Sequence, residues 1–263
     1  MSPIRIPELS VNAPGDFPPV TYALRDPDGL LAWGGGLGPE WLIPAYRQGI
    51  FPWYNPGEPI LWWSPDPRFG FVPGSVHLGR SRRRQLRDAA WTLRADTAFS
   101  EVIRSCAEAP RAGQAGTWIG SEMIDAYCAL HALGVAHSIE VYEGEALIGG
   151  LYGLSLGRIF FAESMFSRRS QASAAALYAL SETLLGWQWP WIDAQMENPH
   201  LALLGGRKLA RADYQALLAK EAAVTGPTGS WADHFPERNF SDYLAKNRMA
   251  SGFLCTSGPN LSK

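Results

Sequence analysis

The sequence predicts a mixed α/β (α+β) protein, with a small N-terminal domain ahead of a larger domain built on a sheet. Three observations predict it. Three strand-like segments follow one another across short turns: Ala136 to Tyr142, Ala146 to Tyr152 and Arg158 to Phe166, separated by Glu143-Gly144-Glu145 and Ser155-Leu156-Gly157. An Ala- and Leu-rich helix, Gln171 to Leu185, and a buried strand, Trp189 to Met196, come next, which makes the sheet mixed. A proline-rich stretch, Asn55 to Pro67, sets off everything before it.

The elements follow in order. Residues 1–29, rich in Pro, Gly and Asp, read as loop and turn, and Leu30 to Trp33 as a short strand closed by Gly34-Gly35-Gly36. Pro39 to Gln48 reads as a helix, because Pro sits in its first turn, Leu42, Ala45 and Tyr46 share a face, and Gly49 stops it. Ile50 to Trp53 reads as extended. In the larger domain Thr97 to Ala109 and Ser121 to Leu133 read as amphipathic helices, and Arg211 to Ala223 as a final helix. The expected division is 1–67, 68–225 and a tail, 226–263, that is partly disordered.

Composition narrows the function. Of 263 residues 46% are hydrophobic and 18% charged, enough to bury a sizeable core. The formal net charge of −2 excludes a globally basic nucleic-acid binder, so any nucleic-acid contact needs a local cluster of Lys and Arg. Three widely spaced cysteines, Cys106, Cys128 and Cys255, suit neither a disulfide framework nor zinc, and a reduced cytosol is the simplest setting. The first thirty residues lack a basic start with an apolar run, and no stretch reaches the ~20 apolar residues of a membrane span. A soluble, cytoplasmic protein is expected.

Three stretches can carry chemistry. In the strand Trp189 to Met196, Asp193 and Gln195 are two apart and would share a face. A carboxylate and an amide there can orient a nucleophile or accept a proton, or simply bond a neighbouring loop. Glu163, inside Phe160-Phe161-Ala162-Glu163-Ser164-Met165-Phe166, needs a partner if buried. It is either a site residue or half of an ion pair with Arg168 or Arg169. The run containing Arg80, Arg82, Arg83, Arg84 and Arg87 is either a phosphate-binding patch or a solvated helix face. Gly34-Gly35-Gly36-Leu37-Gly38 matches no phosphate loop, no HExxH occurs, and His131 and His137 read as structural.

Taken together these stretches resemble the bacterial leucyl/phenylalanyl-tRNA–protein transferase family. The resemblance is carried by Tyr46-Arg-Gln-Gly-Ile-Phe-Pro-Trp53, Ile60-Leu-Trp-Trp-Ser-Pro-Asp-Pro-Arg68 and Gly116-Thr-Trp-Ile119. It continues through His137-Ser-Ile-Glu-Val141, Gly149-Gly-Leu-Tyr-Gly153, Glu163-Ser-Met-Phe-Ser-Arg168 and Ile192-Asp-Ala-Gln195, over roughly residues 22 to 218. It implies that the larger domain is similar to GNAT-type acyltransferases. It also implies transfer of Leu or Phe, less well Met, from aminoacyl-tRNA to a protein beginning with Arg or Lys, which marks that protein for N-end rule degradation. The aminoacyl ester is already activated, so no cofactor or metal is implied, and the protein is expected to be a monomer.

By position, the resemblance makes Trp53 and Trp118 the sandwich for the tRNA 3′-adenine, with Tyr127 beside them. Leu151, Phe160, Met165, Leu180 and Ile192 fall at or near the apolar side-chain pocket; Leu151 and Leu180 stand where the family has Met and Phe. Asp193, Gln195 and Glu163 fall around the reacting carbonyl. An acyl-CoA transferase would need a Gly-rich loop before the helix at Gln171, and Arg168-Arg169-Ser-Gln-Ala-Ser173 has no glycine.

Overall fold

A computed structural model describes residues 6–110, 117–227, 229–235 and 237–245. Gly116 of the Gly-Thr-Trp-Ile stretch, Cys255 and the tail beyond residue 245 lie outside the described residues. Cys106 and Cys128 form no disulfide.

The chain opens with a four-stranded sheet in the order β1-β2-β4-β3. Its strands are β1 (Glu8–Leu9), β2 (Leu30–Gly34), β3 (Phe51–Pro52) and β4 (Leu61–Trp63), with helix α1 (Pro39–Arg47) between β2 and β3. β4 is central, although it lies within the proline-rich stretch expected to be a boundary. The α1 terminus is a Schellman motif: Ile50 N–H donates to Ala45 O and Gly49 N–H to Tyr46 O. Gly49 has φ +77°, and a Cβ there would stand 2.8 Å from Tyr214 Cε1, so only glycine fits.

Past Trp63 the chain enters an eight-stranded sheet. The strands of this sheet and the helices between them are, in chain order, β5 (Arg68–Phe71), α2 (Arg80–Asp88), β6 (Trp91–Ala95), α3 (Phe99–Glu108), α4 (Ser121–Ala132), β7 (Ala136–Glu143) and β8 (Ala146–Leu156). β9 (Ile159–Ser167), α5 (Ala172–Gly186), β10 (Trp191–Asp193), α6 (Pro199–Leu203), β11 (Arg207–Leu209), α7 (Arg211–Glu221) and β12 (Arg238–Asn239) complete it. The strand order is β11-β5-β10-β9-β8-β7-β6-β12. β7, β8 and β9 form an antiparallel meander, while β10 runs parallel to β9. The mixed sheet is as expected. The expected strand Trp189 to Met196 is shorter, because the backbone turns left-handed at Gln195 (φ +56°) and leaves the ladder after Asp193.

Alternation along the strands divides the interior into two cores. On one face Tyr152, Leu154, Ile159 and Phe161 pack against α3, α4 and the N-terminal elements Trp41, Tyr46 and Trp62. On the other, Ile139, Leu151, Phe160 and Ile192 pack against α5 and the C-terminal aromatics Trp231, Phe235, Phe240 and Tyr243. The described residues of the segment assigned to the tail, up to residue 245, are thus folded onto the sheet. Trp231 N–H donates to Asp96 (2.6 Å), its ring stacks on His137, and β12 pairs with β6. The aromatic spacing within a Gly/Pro/Ser-rich composition was the available signal.

Candidate active site

The site lies where two neighbouring strands part. β9 and β10 pair over three residues, ending at Phe161 and Asp193. Beside that point β9 carries a bulge: Tyr152 faces Ser164 and Gly153 faces Ala162, so Glu163 has no opposite residue. A bulge bends its strand and re-aims the extra side chain. Ala162 to Met165 on β9 and Ala194 to Met196 after β10 then line one cleft from opposite sides.

The cleft has two lobes that share Trp118, Glu163, Ala194, Gln195 and Met196. The smaller, about 150 Å³, is closed by Phe51, Pro52 and Trp53. The larger, about 620 Å³, is walled by Phe71, Leu151, Met165, Leu177 and Leu201, with Asn198 and His200 at one side. Trp53 therefore stands at one end and apolar side chains at the other, with Trp118, Glu163 and Gln195 where the two lobes meet.

Glu163 is the only carboxylate among the lining residues. Its Oε2 accepts from Tyr127 Oη (3.0 Å) and its Oε1 from Gln195 Nε2 (2.9 Å). Tyr46 Oη lies 2.5 Å from Tyr127 Oη. Burial holds both phenols well above their ordinary range, so both keep their protons and serve as donors. Burial first, and then the Asp193 carboxylate, push Glu163 up to about 7 against the tyrosine hydrogen bonds and the Arg68 charge. A carboxyl tuned there exchanges a proton near neutrality. Glu163 pairs with neither nearby arginine: Arg168 binds Glu101, Ser105 and Leu147 O, and Arg169 binds Glu143.

Asp193 stands one layer behind. It is fully buried and lines neither lobe. Both its oxygens accept from Arg68 Nε (2.9 and 3.0 Å), and Tyr214 donates to Oδ2. Burial acts against the guanidinium charge, but Asp193 and Tyr214 outweigh it and raise Arg68. Oδ1 also accepts the Gln195 N–H (2.7 Å), a turn of the kind aspartate makes with the residue two ahead. Phe69 N–H holds Gln195 O (3.1 Å), and the two bonds fix the left-handed turn that sends the amide into the cleft. Asp193 and Gln195 are thus linked through this turn and do not share a strand face. Since an ionised Glu163 only accepts, the Gln195 amide must present NH₂ to it, which leaves Gln195 Oε1 as an acceptor.

Of the other residues expected here, Leu151 and Met165 face each other across β8 and β9 and line the apolar lobe. Phe160, Leu180 and Ile192 are wholly buried behind it. Tyr127 is buried behind Glu163, away from the lining. Phe71, Leu177 and Leu201 line the lobe without having been expected; Leu177 is one turn of α5 before Leu180, where the same apolar stripe was the signal. Arg68 and Tyr214 were also missed. The signal for Arg68 was a cation set between a proline and Phe69-Gly70-Phe71, in a stretch otherwise apolar enough to be buried.

The arginine run forms α2, anchored by buried Leu86. Arg80, Arg83, Arg84 and Arg87 line a cavity of about 350 Å³ with Ser241, Leu244 and Ala245. Arg82 points elsewhere; together with burial its charge lowers His200 at the cleft. Ahead of α5 the backbone N–H groups of Arg168 and Arg169 both donate to Ile148 O (2.7 and 3.2 Å) and Ser173 N–H to Ser167 Oγ (2.9 Å), so they are spent within the protein. A pyrophosphate cradle needs such groups open. Among the described residues no group of three or more His, Cys, Asp or Glu could hold a metal, and no helix is long and apolar enough to cross a membrane.

Comparison with known proteins gives a consistent picture. Residues 71–219 match the family model "Leucyl/phenylalanyl-tRNA protein transferase", and residues 35–66 match the model of that family's N-terminal domain. A leucyl/phenylalanyl-tRNA–protein transferase of Xanthomonas euvesicatoria is 55% identical over 95% of this chain and all of its own length. One from Xanthomonas oryzae is 53% identical over 92% of this chain and 97% of its own. A solved GCN5-related N-acetyltransferase from Kribbella flavida aligns at 9% identity and TM-score 0.33, over 65% of this chain and 61% of that one.

Proposed function

This chain belongs to the leucyl/phenylalanyl-tRNA–protein transferase family, and from that premise we propose how its cleft divides the work. The chain is an aminoacyltransferase, with aminoacyl-tRNA as donor and a protein as acceptor. On our reading the donor amino acid is Leu or Phe, and Met less well. The acceptor begins with Arg or Lys, and the product enters the N-end rule pathway. The enzyme works as a cytoplasmic monomer, with 1–67 and 68–225 as its two units.

The observation that carries this reading is the order of groups along one cleft: Trp53, then Trp118 with Glu163 and Gln195 where the lobes meet, then an apolar lobe. Trp53 and Trp118 suit the 3′-terminal adenine, since every base has a face on which an aromatic can stack. Leu151, Met165, Phe71 and Leu177 suit a leucyl or phenylalanyl side chain, and Phe160, Leu180 and Ile192 set the lobe's shape from behind. The ester carbonyl then lies between the lobes, beside Glu163 and Gln195.

The acceptor's α-amine attacks the ester carbonyl carbon. A C–N bond forms, and the C–O bond to the tRNA ribose breaks. Gln195 Oε1 orients the amine through an N–H, Glu163 takes the proton the amine gives up and passes it to the ribose oxygen, which leaves as a hydroxyl and returns Glu163 to its ionised form. Arg68 matches the charge of Asp193, so Glu163 is the unmatched negative charge at the cleft. That favours an acceptor with a cationic first residue. Tyr127 and Tyr46 hold Glu163, and the α2 arginines suit the tRNA backbone, where phosphate contacts position without reading sequence.

The test is transfer from leucyl-tRNA to a peptide starting with Arg, compared with the same peptide starting with Gly and with valyl-tRNA as donor. Leucine is expected on the Arg peptide alone, with Val, branched at Cβ, rejected. Equal transfer to the Gly peptide would refute the acceptor assignment, and Val moving as fast as Leu would refute the apolar-lobe assignment.

A further inference from the structure

Arg68 touches both walls of the cleft without lining either. Its Nε holds Asp193, which holds the Gln195 turn. Its Nη1 donates to Gly49 O (3.0 Å), at the start of the segment that leads to Phe51 and Trp53. The guanidinium lies 4.8 Å from the Phe51 ring centroid and 4.9 Å from that of Tyr214. Tyr214 on α7 closes the circuit: its hydroxyl meets Asp193, and its ring lies where a Gly49 side chain would stand. Its neighbour Gln215 donates to Gln48 O (3.0 Å) at the end of α1.

Stability alone is a poor account of this cluster. A buried ion pair roughly breaks even against well-packed apolar residues of the same volume. This one also leaves Arg68 Nη2 buried with no partner among the described residues, which is unfavourable. What the cluster does achieve is register, since one rigid fork fixes the distance between two segments far apart in sequence.

We propose that Arg68 and Tyr214 are positioning residues for aminoacyl transfer: they hold the Gln195 turn and the Gly49–Trp53 wall in one register, so that the ester carbonyl bound through the adenine meets the amine bound at Gln195. The inference rests on the catalytic reading of Gln195 above. It assigns the Tyr214 hydroxyl to the Gln195 side alone, and the Tyr214 ring and Arg68 to both sides.

The experiment is a mutant cycle read in steady-state transfer from leucyl-tRNA. Tyr214→Phe removes only the hydroxyl and keeps the ring beside Arg68. It should lower kcat about tenfold, as small misplacements of reacting groups do, with KM for leucyl-tRNA unchanged. In a Gln195→Ala background Tyr214→Phe should have almost no further effect, because the residue it positions is gone. Arg68→Lys keeps a positive charge for Asp193 but lacks the fork that also reaches Gly49 O. It should lower kcat and raise KM, and the rise in KM should persist in the Gln195→Ala background. A Tyr214→Phe loss of kcat that persists in full beside Gln195→Ala overturns the inference and leaves Gln195 catalytic. Normal kcat in Tyr214→Phe alone does the same. A Gln195→Ala enzyme with normal kcat overturns both the inference and the reading on which it stands.

Discussion

Glu163 gives the sharpest test of the chemistry, because its environment sets a pH at which the site should switch. A carboxyl pushed up to about 7 is half ionised at that pH. From this value the ionised fraction is roughly nine-tenths at pH 8 and one-tenth at pH 6. If ionised Glu163 takes the amine's proton, kcat should fall about tenfold between pH 8 and pH 6 from this group alone. The acceptor's α-amine titrates in the same direction, with an ordinary pKa of about 7.7–8.0, so the wild-type profile by itself is ambiguous. Glu163→Gln separates the two. Glutamine keeps the size and can still accept from Tyr127 and pair with Gln195, but it has no proton to exchange. Its residual activity should follow the acceptor amine only. The ratio of wild-type to Glu163→Gln kcat, measured in single turnover with saturating leucyl-tRNA and an Arg-starting peptide, should then drop about tenfold from pH 8 to pH 6. A ratio constant across that range refutes proton transfer to Glu163, and would leave it the task of holding the acceptor's charge.

Trp118→Ala should raise KM for leucyl-tRNA by roughly 5- to 150-fold, the equivalent of ~1–3 kcal/mol of stacking, with kcat little changed; normal binding of a nonhydrolysable aminoacyl-adenosine would remove the tryptophan from the adenine site. Reversing Arg82, Arg83 and Arg84 to Glu should weaken tRNA binding and flatten its dependence on salt, with the single-turnover rate preserved; an unchanged salt slope returns α2 to the role of a solvated helix. Glu140 makes a prediction about stability. It is buried and accepts from Ser138, Thr97 and Ala98 N–H at the start of α3, and desolvation pushes it up to about 7. Its folded pKa lies above the unfolded one, so the folded state binds the extra proton, and stability is lost as pH rises through about 7. Urea titrations should therefore find Glu140→Gln more stable than wild type at pH 8, by on the order of 1–3 kcal/mol, and equal to it at about pH 4, below the unfolded pKa; equal stabilities at both would show that Glu140 ionises without cost.

The long elements were legible because period and punctuation agree over many residues. The expected helices at 39–48, 121–133 and 171–185 match α1, α4 and α5 to within a residue or two. The strands β4, β5, β11 and β12 have two to four residues each, too few for alternation to register. β4 is also masked by its prolines, so a central strand was read as part of a boundary. Within the site, Trp53, Trp118, Glu163, Gln195, Leu151 and Met165 reach the cleft, whereas Asp193, Tyr127, Phe160, Leu180 and Ile192 stand one layer behind it. The difference is local and three-dimensional. Strand pattern tells which residues face a core, but not where two strands stop pairing, and the opening depends on that point. Arg68 was illegible for a different reason: its partner Asp193 is 125 positions away.

The gap between β9 and β10 also explains why one cleft can serve a substrate with two unlike ends. Glu163 and its tyrosines belong to the face that packs with α3, α4 and the N-terminal sheet, and Trp53 and Trp118 pack against that same core. Leu151, Phe71 and Leu177 belong to the opposite core. The smaller lobe therefore opens on the face of α3 and α4, and the larger reaches from Trp118 on that face through the gap to the opposite core; the edges of the gap beyond Phe161 and Asp193 are two small residues, Ala162 and Ala194. An aminoacyl ester has the matching shape: a flat base at one end, an apolar side chain at the other, and a narrow backbone between. With the base stacked on one face and the side chain buried on the other, the carbonyl has only the level of the sheet to occupy, beside Glu163 and Gln195. Branching at Cβ would widen the ester where Ala162 and Ala194 flank the gap. On the proposed assignment, selection against Val and Ile would follow from the strand separation as much as from the depth of the apolar lobe, and the same separation would deliver the carbonyl to the amine.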